Sequence, residues 1–259
     1  MKKAIWCIEG MRSAGTNFHN ETGYPLFVDS PVGDDIDQVI IMGMYDGPTY
    51  KHTLEMTKRA KTKHIHWCGS DVLYLANASI LPEATHTCES MNLQEELYQK
   101  GIEAKILMQS TSLHVPLRPL PKTPVVSCYL GSDPQKYGVS LVKACMDAMP
   151  EYKFVTYQYG HQSPQEMVEL IEKSTVHLRL APHDGSALSC REMMEAGRYC
   201  VTATDLPFAW RVRFGDLQDT LKKVRKGLMM KEPNTEAAEY YSEWNSSERF
   251  KWNLEEMGL

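Results

Sequence analysis

Two acids, Asp184 and Glu192, stand eight positions apart in the stretch APHDGSALSCREMMEAGRYCVTAT, residues 181–204. An apolar run, VHLRLA, leads into it, and His183, Asp184, Gly185 and Ser186 form a polar turn before a helix that runs from 186 to 196. A carboxylate accepts hydrogen bonds from two hydroxyls at once, so a pair of acids at a strand-to-helix turn suits a polyhydroxylated ligand. Gly185 lets backbone come close to such a ligand. The free N–H groups of Ser186, Ala187 and Leu188 at the helix start suit a diphosphate. Asp184 would then accept from sugar hydroxyls, Glu192 from a ribose diol, and His183 would face the same ligand. A purely structural reading stands beside this one. Ser189-x-x-Glu192 matches a capping box, Asp184-Gly185 is an ordinary turn dipeptide, and His183 is then exposed turn decoration.

Other positions carry chemistry less directly. His66 and Asp71 flank the turn WCGS after an apolar run, where a histidine could meet a ligand or pack beside Trp67. The loop EGMRSAGTNFHNETG supplies Gly10, Ser13 and Gly15 for close backbone approach, with Arg12 and His19 for charge, but it is not G-x-G-x-x-G. The seven cysteines include no C-x-x-C pair, and no His/Asp/Glu cluster shows metal-ligand spacing. Cys7, Cys128 and Cys200 sit in apolar runs, so a reduced, cytoplasmic setting is expected.

These residues need elements to position them, and the chain is patterned to supply them. Its 259 residues are 42% apolar and 24% charged, with 28 basic against 33 acidic side chains and a net charge of -5. That balance argues against a generally cationic nucleic-acid binder. No apolar run approaches the roughly 20 residues that cross a bilayer. AIWCIEG, DQVIIMGMYD and HIHWCGSDV read as strands, with TYKHTLEMTKRAKT a helix between the last two. After residue 84, ATHTCES, the helix MNLQEELYQKG and the strand EAKILMQ follow. Four prolines between Leu113 and Pro124 deny that segment regular structure and mark it as a linker. The alternation then restarts with VVSCYLG, SLVKACMDAM, KFVTYQYG, SPQEMVELIEKS and VHLRLA. Strands alternating with helices imply parallel sheets. The expectation is α/β with two Rossmann-like lobes, residues 1–116 and 117–259, a cleft between them, and a terminal helix at about 235–257 crossing back to the first lobe.

The order turn, Asp184-Gly185, seven residues, Glu192, then Glu195-Ala196-Gly197 and an apolar strand resembles the retaining GT-B glycosyltransferases of the GT4 type. In that family's acidic pair Asp184 takes the place of the first Glu, Glu192 matches the second and Gly197 the following glycine. CYLGSDPQKYG resembles the segment opening the donor lobe, so Gly131 and Lys136 match donor-contacting positions, while Ser132 stands where the family has Arg. HIHWCGSDV resembles the family's acceptor-lobe strand end. The resemblance implies a metal-independent transferase using a nucleotide-sugar, a UDP-sugar first, as donor and no other cofactor. It implies catalytic roles for Asp184, His66 and Lys136, donor contacts from Gly131, Lys136, His183, Asp184, Gly185, Ser186, Ala187, Leu188 and Glu192, and acceptor-side positions at Gly15 and Asp71. The transferred group would be a hexose or a pentose. Short two-lobed enzymes of this kind also resemble phage enzymes that glycosylate modified bases in DNA, and two basic runs, KRAKTKHIH and LKKVRKGLMMK, fit such an acceptor. The other acceptor is a glycan. Two further readings stay open: a nucleotide-sugar or polyanion binding protein without transfer activity, and a two-lobed sugar-phosphate isomerase or epimerase.

Overall fold

The computed structural model describes residues 1–45, 48–73, 83–111, 113–158 and 160–259. The chain divides into two compact units, residues 1–110 with 246–259 and residues 111–245.

The first unit holds a six-stranded sheet built from β1 (Lys3–Cys7), β2 (Leu26–Val28), β3 (Gln38–Met42), β4 (Thr62–Trp67), β5 (Thr85–Cys88) and β6 (Lys105–Ile106). The strands lie in the order β2-β1-β3-β4-β5-β6 and every pairing is parallel. Parallel neighbours require crossovers, which α1 (Arg12–Thr22), α2 (Pro48–Thr57) and α3 (Met91–Gln99) help to supply. Helices on both faces bury the strands on both sides, which is why QVIIM is apolar without alternation and buried throughout. Ala4 and Trp6 of β1 enter one core with Val39 and Ile41, while Ile5 and Cys7 enter the other with Ile40 and Met42. The period of two along each strand produces that division.

The second unit has β7 (Val125–Tyr129), β8 (Lys153–Tyr157), β9 (Val176–Arg179), β10 (Tyr199–Thr202) and β11 (Trp210–Arg211), again all parallel, in the order β11-β10-β9-β7-β8. Its helices are α4 (Val139–Ala148), α5 (Pro164–Lys173), α6 (Leu188–Glu195), α7 (Leu217–Leu228) and α8 (Thr235–Trp244). Local signals set several starts. Ser163 and Glu166 close a capping box around Pro164 at the head of α5, and Asp216 caps α7 by accepting from Asp219 N. Helices α4 and α7 share a core with Val126, Cys128, Val176 and Leu178, whereas α5, α6 and α8 share one with Cys200. From Ser189 to Glu195 every residue of α6 is buried, charged ones included.

Two expectations about organisation meet a different arrangement. The proline-rich segment groups with the second unit, and the first unit's leading segment ends at Ser110 rather than 116. The buried Arg198 guanidinium donates to the carbonyls of Arg118 and Pro119 at 3.1 and 2.9 Å and to that of Ile171 at the end of α5 at 3.0 Å. Prolines leave carbonyls without neighbouring donors, and Arg198 supplies them from the second unit. The terminal helix is two helices, α8 and then α9 (Ser247–Glu256), separated at Asn245, with Ser246 capping α9 by accepting from Arg249 N at 3.1 Å. Only α9 groups with the first unit, where Phe250 meets Phe18 of α1 edge-on at 4.9 Å between ring centroids. No helix among the described residues is long and apolar enough to cross a membrane.

Phe250 is 1% exposed. Its replacement by alanine should therefore destabilise the first unit by about 3 kcal/mol through lost burial and the cavity left behind. Urea denaturation followed separately by fluorescence and circular dichroism measures it, and a change under about 1 kcal/mol would contradict this packing role.

Candidate functional site

In the second unit the neighbouring strands β7 and β9 end side by side at Tyr129 and Arg179, the edge of a parallel sheet where ligands bind in open α/β folds. Most of the sequence-predicted donor residues converge there, and the group that organises them is one the sequence reading passed over. Arg179, the only charged residue in VHLRLA, places its guanidinium 4.5 Å from the ring centroid of Tyr129 and 5.4 Å from that of Tyr137. It grips Asp184 through two nitrogens, with Nη2 donating to Oδ1 at 3.0 Å and Nε donating to Oδ2. Nη1 donates to the Ser189 hydroxyl at 3.1 Å. Burial alone would lower the Arg179 pKa, but the Asp184 carboxylate outweighs it and the value rises.

Asp184 is thus held on both oxygens, and its Oδ1 also accepts from Gly185 N at 3.0 Å. Gly185 is absent from the left-handed backbone positions; Ala187 takes that conformation instead, at φ 46°, as the N-cap of α6. An alanine there is strained by about 1–2 kcal/mol. No side chain caps α6, and the backbone N–H groups of Ser186, Ala187, Leu188 and Ser189 have no acceptor among the described residues. The Ser189 hydroxyl is taken by Arg179 and by His177 Nε2 at 3.1 Å, while His177 Nδ1 meets Ser127 Oγ at 3.0 Å. Ser189 and Glu192 therefore form no capping box.

Glu192 is 7% exposed, and no hydrogen bond to its carboxylate exists among the described residues. Burial raises its pKa to about 8, and Arg191 and Arg179 only partly oppose that. Glu195, three residues on, behaves differently. Its Oε1 meets His114 Nδ1 at 3.0 Å and its Oε2 accepts from Asn245 Nδ2 at 2.6 Å. Asn245 Oδ1 in turn accepts from Nε of the buried Arg191 at 3.0 Å, and Arg191 Nη1 donates to Ser186 Oγ at 3.3 Å. One acid on α6 is engaged through both oxygens, and the other accepts nothing from the described residues.

Gly131 has φ 57°, and an added Cβ there would lie 2.1 Å from the Tyr137 ring, so this glycine admits the tyrosine that walls Arg179. Lys136 is exposed in the turn before α4, while His183 and Leu188 are half-buried beside Asp184 and at the head of α6. A cavity of about 620 Å³ opens at the opposite, amino-terminal edge of this sheet, lined by Lys122, Val125, Lys153, Val155, Glu166 and Lys173. Its charged side chains are all exposed, and none is held in place for a ligand.

The acceptor-side candidates lie in the first unit. Gly15 serves helix packing, since a Cβ there would meet Cys7 Sγ and Leu26 Cδ1 at 2.9 Å. Asp71 is buried and holds the turn after β4 by accepting from the N–H groups of Cys68 at 3.1 Å and Gly69 at 2.7 Å. Burial raises its pKa against these hydrogen bonds. His66 has no exposed surface; its Nδ1 meets Thr87 Oγ1 at 2.8 Å and its Nε2 meets Glu89 Oε1 at 3.0 Å. Direct contact with a substrate does not fit that enclosure. The Thr87 hydroxyl also meets His64 Nε2 at 2.8 Å, and His64 Nδ1 meets Thr85 Oγ1 at 2.7 Å. Burial depresses the His64 pKa to about 3, so this ring is neutral.

No family model matches the chain, and no curated protein matches its sequence. Solved structures do match its fold. A glycosyltransferase from Rickettsia africae superposes with a TM-score of 0.65 at 12% identity, over 98% of this chain and 97% of that one. The lipopolysaccharide outer core galactosyltransferase WaaB gives 0.63 at 12% identity, over 97% and 98%. S. aureus TarM, whose structure holds UDP, gives 0.58 at 14% identity over 86% of this chain, which spans 54% of TarM's length. Two parallel-sheet units of this kind are the GT-B glycosyltransferase fold.

The raised pKa of Glu192 makes a stability prediction. A group with a raised folded pKa stabilises the fold below its unfolded pKa, near 4.3, and loses that contribution as pH rises through the folded value. Wild-type stability should fall by roughly 3–5 kcal/mol between pH 5 and pH 8.5 on this account. Glu192→Gln should flatten that fall and be the more stable protein at pH 8.5. Denaturation midpoints of both proteins at the two pH values decide it, and parallel pH dependences would refute the assignment.

Proposed function

We propose that the chain is a retaining glycosyltransferase that holds a nucleotide-diphosphate sugar on its second unit. The observation that carries this reading is the largely buried Glu192, whose carboxylate accepts no hydrogen bond from the described residues, on a helix whose N-terminal N–H groups find no acceptor among them either. A ribose diol would supply Glu192 with two donors, and a charge-assisted pair of hydrogen bonds would return what burial costs the ionised acid. The N–H groups of Ser186 to Ser189 and the positive end of α6 would take the diphosphate. Lys136, exposed in the turn between β7 and α4, would add charge to stabilise the leaving phosphate. Asp184 keeps free lone pairs beyond those that Arg179 and Gly185 use and would accept from sugar hydroxyls, with Arg179 fixing its orientation. This buried cation on the same sheet edge would also offset Ser132, which stands where the resembled family has Arg. The likeness of the Asp184 and Glu192 spacing to that family supports retention of configuration, and no carboxylate is assigned as nucleophile.

UDP is the first nucleotide to test, because TarM and the pneumococcal O-GlcNAc transferase GtfA were solved with it. A glycan hydroxyl is the preferred acceptor over a hydroxymethylated DNA base. Of the basic run on α7, Lys223 is bound to Asp219 at 2.7 Å and Lys226 lies 4.6 Å from the Trp210 ring centroid, so part of that run serves the fold. A second reading, binding without transfer, draws support from Asp184 being already ion-paired.

Thermal unfolding against a panel of nucleoside diphosphates and their sugars tests the donor site. At a hundred times Kd the matching nucleotide stabilises the wild type by roughly 2.7 kcal/mol, and Glu192→Ala should lose most of that protection. Protection of neither protein by any nucleotide would sink the reading. Free nucleotide released in the presence of glycan or modified DNA then separates transfer from binding and one acceptor from the other.

A further inference from the structure

The end of β4 and the end of β5 bring together three side chains that the donor reading does not use. His66 Nε2, Cys68 Sγ and a carboxylate oxygen of Glu89 lie within 4.8 Å of one another. Neighbouring parallel strands produce the meeting, since His66 pairs with Thr87 and Trp67 with Cys88, which sets Cys68 and Glu89 just beyond the two strand ends. We infer that His66, Cys68 and Glu89 form a binding site for one zinc-class divalent cation, with a fourth position open to water.

The donor set selects the cation. Imidazole, thiolate and carboxylate together match the borderline zinc ion, while magnesium and calcium require oxygen donors throughout. The spacing is right for such an ion. His66 Nε2 and Glu89 Oε1 are 3.0 Å apart, close to the edge of about 3.3 Å that a tetrahedron with bonds of about 2.0 Å would have. The scaffold is set in advance. Asp71 ties down the N–H groups of Cys68 and Gly69, and Gly69 adopts φ 153° with ψ -107°, a conformation open to glycine. Phe18 closes over the His66 ring at 5.1 Å between centroids, and Cys68 is the one half-buried residue of the three.

The histidine relay lets the site exist with and without the ion. Without it, His66 Nε2–H donates to Glu89, and the chain runs from Thr85 O–H to His64 Nδ1, His64 Nε2–H to Thr87 Oγ1, and Thr87 O–H to His66 Nδ1. With it, every bond of the chain reverses. His66 carries its proton on Nδ1 and donates to Thr87, Thr87 donates to His64 Nε2, and His64 Nδ1–H donates to Thr85. Nε2 is then bare for the metal, and no hydrogen bond in the relay is lost. The Cys68 thiol proton passes to solvent, ending its donation to the His66 carbonyl. Thr87 thus plays the part that outer hydrogen-bond partners play at histidine-ligated metals, fixing the ring and its tautomer.

Equilibrium dialysis of the full chain with Zn2+, and absorbance with Co2+ as a visible substitute, tests the site without reference to donor binding or transfer. The expected result is one Zn2+ per chain, a sulfur-to-metal charge-transfer band with Co2+, and a loss of affinity on the order of 100-fold or more in Cys68→Ser and in Glu89→Gln. Nitrogen-15 NMR of the wild type should show His66 and His64 exchanging Nε2–H for Nδ1–H as Zn2+ is added, which requires no variant to fold. Absence of stoichiometric binding, Zn2+ affinity unchanged in Cys68→Ser, or unaltered tautomers at saturating Zn2+ would each overturn the inference.

Discussion

The grip of Arg179 on Asp184 is the contact on which the carboxyl-end edge of the second unit's sheet depends. A guanidinium at the end of a buried strand has to find acceptors, and here it finds a carboxylate on the turn and a hydroxyl on the helix that follows. Those bonds pin the turn at both ends, before Gly185 and after Ala187. Two tyrosine rings exclude water from the guanidinium and raise the electrostatic stakes. Removing either partner would strand a charge in a dry setting, a change that usually costs several kcal/mol. The Ser189 hydroxyl answers to Arg179 and His177, and with Ala187 at the N-cap no side chain caps α6.

The same helix sorts its acids by partner. Glu195 joins the buried Arg191 and Asn245 and the exposed His114 in a network that ties α6 to the segment after α8. Glu192 accepts no hydrogen bond from the described residues, and burial raises its pKa to about 8. Satisfied polar networks fix a core. The helix thus carries one acid that serves its packing and, three residues earlier, one that does not.

Much of this was legible in the order of residues. Alternating apolar runs and amphipathic segments carry the two parallel sheets, because strand and helix periods survive in local sequence. Local chemistry also picked out the turn at Asp184 and the acid at Glu192, which the fold places on one sheet edge and on the helix that follows it. What escaped depends on partners distant in sequence or on broken local rules. Four prolines looked like a linker until Arg198, some eighty residues later, supplied donors to the carbonyls of Arg118 and Pro119. The positive φ at Ala187 contradicts the preference of alanine, so the Asp184-Gly185 pair drew attention to the wrong residue. Arg179 was visible as a charge inside an apolar run, yet its pairing required the turn's geometry. His66 and Cys68 are near neighbours, but Glu89 joins them only through the β4–β5 pairing, which linear spacing does not display.

The division of the chain also orders events during synthesis. Residues 111–245 form one uninterrupted stretch, so the second unit has all of its strands and helices once Asn245 has left the ribosome. The first unit does not. Phe18 must wait for Phe250, and its sheet of local strand pairs lacks one wall of its core until α9 has been made. Contacts across so long a separation form late, because the intervening chain has to be ordered before their loop closure is repaid. The first unit is therefore completed after the second, reversing the usual vectorial order in which the first domain made is the first one finished.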